Sequence, residues 1–240
     1  MNSQRIAFIM YGYPLGVSSM IINSIRMFAQ KGFNVDIYIE RGNLDVSPIE
    51  FSEKQVRMIV FKSNRNFFLR VYHFFIYRTS KFFSPFVPIS KNFSFSLCLR
   101  FFYLETFIFS KWLRRNLNIN NYAYLIPVEC NSILCLYYAK EKEKIVYYNL
   151  ELLDWGEKNP LYTNKLFMKN LEYRMIKNLS YVVVPSLRRG ELFSEINDFD
   201  LDKIYILPVA SMGEAVTERS SFFRHKFGIS SDSKIVIYAG

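Results

Sequence analysis

The sequence predicts an α/β protein: an open parallel Rossmann-like sheet with helices on both faces. Three observations predict it. Short apolar β-type runs recur along the whole chain, and amphipathic stretches at helical spacing separate them. The first forty residues complete one strand–helix–strand unit, which demands parallel strands. Such alternation, repeated, builds a sheet wrapped by helices.

The elements follow in order. "RIAFIM" (5–10) is an apolar run and a buried strand. "YGYPLGVSS" (11–19) carries Gly12, Pro14 and Gly16 and is a turn. In "SMIINSIRMFAQKG" (19–32), Ile21, Ile25 and Phe28 or Ala29 share one helical face. Ser18 or Ser19 can cap that helix and Gly32 ends it. "FNVDIYIE" (33–40) and "VRMIVF" (56–61) are strands. A strand at 122–129, a helix at 131–142 and a strand at 144–152 come next. The helix at 164–180 places Phe167, Leu171, Met175 and Leu179 four apart, with Lys169, Glu172 and Lys177 on other faces. A strand (181–186), a helix (187–196) and a strand (203–209) complete the set. Residues 210–221 are polar and hinge-like, followed by the helix "FFRHKFGI" and the strand "KIVIYAG". Residues 1–212 are therefore expected to form one domain, and 213–240 the start of a second, truncated one.

Half of the residues are hydrophobic and 22% are charged, which supports a packed core and excludes global disorder. Cys98, Cys130 and Cys135 are odd in number, and neither they nor His73 and His225 show metal-ligand spacing. A reduced, cytoplasmic protein without a metal is expected. No signal peptide pattern and no run of about 18 uncharged apolar residues is present.

Residues 62–115 break the alternation. Ten Lys or Arg face one acid there, Glu105, which accounts for nine of the chain's ten net positive charges. The stretch interleaves Phe67, Phe68 and Phe74 with Arg70, Arg78 and Lys81, and continues through Arg100, Lys111, Arg114 and Arg115. Such a segment suits an anionic bilayer surface, aromatics inward and cations at lipid phosphates. The alternative is a core helix with a solvated basic face. A nucleic-acid surface is disfavoured, because no recognition motif accompanies the charge.

Three stretches taken together resemble the retaining GT-B glycosyltransferases of family 4. "RIAFIMYGYPLGVSSMIINSIRMFAQKGFNVDIYI" is similar to the family's opening strand, glycine-containing loop, helix and strand. "NLEYRMIKNLSYVVVPSLRRGELF" is similar to its helix–strand pair, and "ILPVA" with "FFRHKFGISSDSKIVIYAG" to its linker and the start of its second domain. The resemblance implies two Rossmann-like domains facing across a cleft, the first for the acceptor and the second for a nucleotide-sugar donor. This chain would supply mainly the acceptor half, bind no tight cofactor, lack most of the donor site and be inactive alone. It would act on a lipid-linked or cell-surface polysaccharide acceptor, at the inner face of the cytoplasmic membrane, with a donor domain or partner chain completing it. A non-catalytic membrane- or sugar-binding module that partners another chain is the alternative.

Candidate site residues lie at the carboxyl ends of strands, where open sheets bind ligands. The 11–19 loop opens a helix, whose free N–H groups favour anions. Gly12, Tyr13, Gly16, Ser18 and Ser19 are the acceptor-binding candidates there, an ordinary βα turn being the alternative. G-x-G-x-x-G is absent, so this is no dinucleotide fingerprint. Where relatives carry a histidine, this chain reads "YYNLELLDWG". Asn149 and Glu151 are candidates for hydroxyl binding or base catalysis, and Glu129 has the same geometry with a weaker claim. Arg188 and Arg189, after a serine that can cap the next helix, are phosphate-binding candidates.

Overall fold

The computed structural model describes residues 4–42, 49–62, 103–153, 163–209 and 221–235. It shows seven parallel strands: β1 (Arg5–Met10), β2 (Asn34–Glu40), β3 (Val56–Phe61), β4 (Tyr124–Val128), β5 (Val146–Tyr148), β6 (Tyr181–Val184) and β7 (Ile204–Ile206). Their order is β3-β2-β1-β4-β5-β6-β7. The α-helices are α1 (Ser19–Gln30), α2 (Leu104–Asn116), α3 (Glu129–Leu134), α4 (Thr163–Ile176), α5 (Leu187–Asn197) and α6 (Phe222–Phe227). The expected open parallel sheet is thus observed. Residues 236–238 of the expected closing strand and most of the hinge lie outside the described residues.

Period-two alternation along β1 sorts its side chains between two cores. Ile6, Phe8 and Met10 pack with Ile21, Ile25 and Ala29 of α1 and with Val35, Ile37 and Ile39 of β2. Ala7 and Ile9 face the other side, where Phe109 and Leu113 of α2, Ile133 of α3, Leu171 and Met175 of α4 and Phe193 of α5 converge. Burying each such large side chain contributes roughly 1.5–3 kcal/mol. α2 is an element the sequence reading missed. Its aromatics face inward: Trp112 packs edge-on against Tyr38, and the Phe109 ring lies 4.7 Å from that of Tyr11. Lys111, Arg114 and Arg115 stand on its exposed face.

Four strand segments are tied together near the amino edge by Asp36, which is buried. Its carboxylate accepts from Arg5 Nη2 (2.8 Å), Arg57 Nε (2.9 Å) and Nη2 (3.0 Å), and the Tyr122 hydroxyl (2.6 Å). Charge-assisted bonds from three partners replace the water this carboxylate loses.

Several expectations need correction. Lys169 and Glu172, expected on faces other than the apolar one, are fully buried and pair with each other at 2.9 Å. The Tyr147 hydroxyl donates to Glu172 Oε1 at 2.6 Å, and Lys169 Nζ donates to Asn197 Oδ1. The helix expected over 131–142 is shorter: α3 ends at Leu134, and turns follow. β5 and β7 are three residues each, shorter than their apolar runs. Ser18 is the residue before α1, but neither it nor Ser19 caps the helix through its side chain. Ser186 does cap α5, accepting from Arg189 N–H at 3.3 Å.

Candidate functional site

β1 is the centre from which the chain turns both ways. It pairs with β2 on one side and β4 on the other, and Met10 aligns with Val128 at their carboxyl ends. This is the topological switch point of the sheet, where a crevice forms between diverging loops. The 11–18 loop leaves β1 here, and Glu129 leaves β4 beside it.

Glu129 is the unusual residue. It is the first residue of α3, directly after β4, with φ of 65°, a left-handed conformation that costs a residue with a Cβ about 1 kcal/mol or more. Its side chain turns in and is only 9% exposed. Oε1 accepts two backbone N–H bonds, from Leu150 (2.8 Å) and Glu151 (3.0 Å). Burial raises its pKa to about 8, and the nearby Glu151 and Glu172 add to the rise, against the opposing pull of the two N–H donors. With Oε1 engaged, Oε2 is the oxygen left to carry the proton. The carboxyl is therefore poised to exchange a proton near neutral pH.

The 11–18 loop is held against α3. Tyr11 N–H donates to Ser132 Oγ at 2.9 Å. Gly12 has φ of 73°, and a Cβ there would lie 2.8 Å from Asn131 Nδ2, so only glycine allows this approach. Tyr13 is half-buried and hydrogen-bonded to Ser18. Its phenol pKa is raised by burial first, then by the charges of Glu129 and Glu151. Tyr13 is thus within electrostatic reach of both glutamates at this edge of the sheet. Ser18 is buried and Ser19 half-buried, and Gly16 lies in the 3-10 turn Leu15–Val17.

The other candidates divide. Glu151 is exposed at the rim. Asn149 is fully buried beneath it; its Nδ2 donates to the Tyr147 hydroxyl (3.0 Å) and the Glu151 carbonyl (3.1 Å). Asn149 Oδ1 has no hydrogen-bond partner among the described residues. Arg189 reaches across from α5 and donates to the Leu150 carbonyl. Glu129 and Arg189 thus clamp the same turn, one at its N–H and one at its C=O. Arg188 is exposed and paired with Glu191 at 3.0 Å. Phe67, Phe68, Arg70, Phe74, Arg78, Lys81 and Arg100 lie outside the described residues. Asn131 and Ser132 were missed by the sequence reading, since nothing local marks a helix residue that props a distant loop. Among the described residues no cluster of His, Cys, Asp or Glu suits a metal ion. Cys130 and Cys135 are buried, and burial pushes both thiols well up.

No family model matches the chain, and no curated protein is similar to it in sequence. Solved structures do align with it. Arabidopsis thaliana UGT89C1 complexed with UDP-L-rhamnose shares 12% identity, over 90% of this chain and 54% of that one, at a TM-score of 0.49. LpCGTa in complex with UDP shares 12%, over 88% and 55%, at 0.49. Medicago truncatula UGT71G1 complexed with UDP-glucose shares 10%, over 88% and 51%, at 0.45. The chain spans about half the length of each. At such identities and scores, no residue of this chain acquires a role from them.

Proposed function

We propose that the chain is the acceptor-binding half of a glycosyltransferase that uses a nucleotide-sugar donor. The observation that carries this reading is Glu129: a buried carboxyl with a pKa of about 8, in a left-handed backbone position, at the switch point of a parallel sheet. In this role the ionised form of Glu129, a minority below pH 8 and the dominant form above it, takes the proton of an acceptor hydroxyl on Oε2. The hydroxyl oxygen then bonds to the sugar's anomeric carbon while the bond from that carbon to the diphosphate breaks. The diphosphate leaves with the electron pair. Tyr13, Ser18 and the backbone of Gly12 border the acceptor. One displacement of this kind inverts the anomeric carbon, whereas the family 4 resemblance implies retention; the configuration of the product separates the two.

The acceptor in this reading is lipid-linked or part of a surface polysaccharide. β3 ends at Phe61 on the carboxyl edge of the sheet, and α2 begins at Leu104 and runs toward the amino edge that precedes β4. Both attachment points of the basic aromatic segment therefore lie on the cleft side. That placement supports docking on an anionic leaflet beside the acceptor.

The test is transfer of labelled sugar from a panel of nucleotide sugars into a lipid extract, using the longest natural form of the protein. Label should enter the lipid phase from one donor, and Glu129→Gln should reduce transfer at least a hundredfold while acceptor binding persists. Full activity of that variant would remove Glu129 as the base. Absence of both transfer and acceptor binding would sink the glycosyltransferase reading.

A further inference from the structure

A second concave site lies at the opposite edge of the sheet, where α2 ends and the chain turns toward β4. It is a polar groove of about 440 Å³. Arg114 and Arg115 of the last turn of α2 line it together with Asn118, Asn120, Tyr138 and Lys140. The one carboxylate in the lining is Glu141. Three cations against one acid leave a surplus of two positive charges. Among the described residues Arg114, Arg115 and Lys140 form no ion pair; Arg114 instead sits over the Tyr138 ring, 5.7 Å from its centroid. The Tyr138 hydroxyl is buried and has no hydrogen-bond partner among the described residues. Burial also keeps that phenol protonated, so it is a donor waiting for an acceptor.

We propose that this groove binds a phosphate-bearing dianion. Guanidinium forks match phosphate oxygens, and the surplus charge equals that of a phosphate monoester. Unpaired cations gathered in a concavity focus the field that draws such an anion in. The site stands apart from the glycosyl-transfer reading, because Glu129 is at the other edge of the sheet. The same chemistry is presented by a soluble phosphate and by a phospholipid headgroup.

The experiment is calorimetric titration of the chain with inorganic pyrophosphate at low salt, paired with sedimentation on phosphatidylcholine vesicles with and without phosphatidic acid. The expected result is saturable pyrophosphate binding that weakens as salt rises. It should weaken at least tenfold in the double variant Arg115→Ala/Lys140→Ala, severalfold in Tyr138→Phe, and not at all in Glu129→Gln. Both lysine and arginine positions are exposed, so the double variant is expected to keep the wild-type circular dichroism spectrum and urea midpoint. Sedimentation with phosphatidic acid that pyrophosphate reverses and the double variant loses identifies the headgroup as the source; pyrophosphate binding that the double variant loses, with sedimentation unchanged between wild type and variant, identifies a soluble phosphate. No binding to either probe, or binding that the double variant leaves intact, overturns the proposal.

Discussion

Replacing Glu129 by glutamine separates the ionisation of this residue from its hydrogen bonds. The carboxamide oxygen can still accept from Leu150 and Glu151 N–H, but it has no proton to lose. The wild-type carboxyl has a folded pKa of about 8 against a reference of 4.5. The folded state therefore holds the proton more tightly than the unfolded chain. Stability from this group is fully present below pH 4.5 and is lost as pH rises to 8. Integrating that difference, wild type loses about 2.5 kcal/mol between pH 6 and pH 9 that the variant keeps. Groups remote from Glu129 titrate equally in both proteins, so the difference between the two curves reports Glu129 and the neighbours coupled to it. Urea unfolding at the two pH values, followed by tryptophan fluorescence, reads it out. With a slope of about 2.5 kcal/mol/M, the midpoints should diverge by about 1 M from pH 6 to pH 9 in favour of the variant. A constant separation across that range would refute the claim that burial holds this carboxyl protonated, and with it the reason to assign it a proton-transfer role.

Three further outcomes follow from the packing. Asp36→Ala removes the acceptor of two arginines and the Tyr122 hydroxyl and should cost about 1–3 kcal/mol, measured by urea unfolding, since both arginines stay in reach of water. Lys169→Met strands Glu172 in the core and should cost roughly 3–5 kcal/mol; adding Glu172→Gln should recover part of it, since the uncompensated charge is gone. Gly12→Ala forces a Cβ into a left-handed position and onto the Asn131 amide. It should destabilise by about 1–2 kcal/mol and perturb the amide resonances of residues 11–18 in a nuclear magnetic resonance spectrum.

Local pattern made much of the architecture legible. The unbroken apolar run of β1 suits a strand buried on both faces, and Ile21, Ile25 and Ala29 do line the buried side of α1. Placing the 11–19 loop at a carboxyl edge needed only the strand before it and the helix after it. α2 was obscured by the charge and aromatic density around it. Its signals were present nonetheless: Phe109 and Leu113 at i and i+4, Glu105 in the first turn, and Arg114 and Arg115 in the last.

The sequence by itself determined the parallel α/β class, the order of elements along the chain and the place of the 11–19 loop at the carboxyl end of the first strand. Those follow from periodicity and chain connectivity, which are local. Only the tertiary structure decided which polar groups are buried. Lys169 and Glu172 look like surface charges until Tyr147 and Asn197 arrive from other elements to satisfy them. Glu129 and Glu151 look alike in sequence, yet one is buried under a turn from the next strand and the other is exposed. Desolvation depends on what packs around a group from distant parts of the chain, and it is desolvation that lifts the Glu129 carboxyl into the range where it can trade a proton.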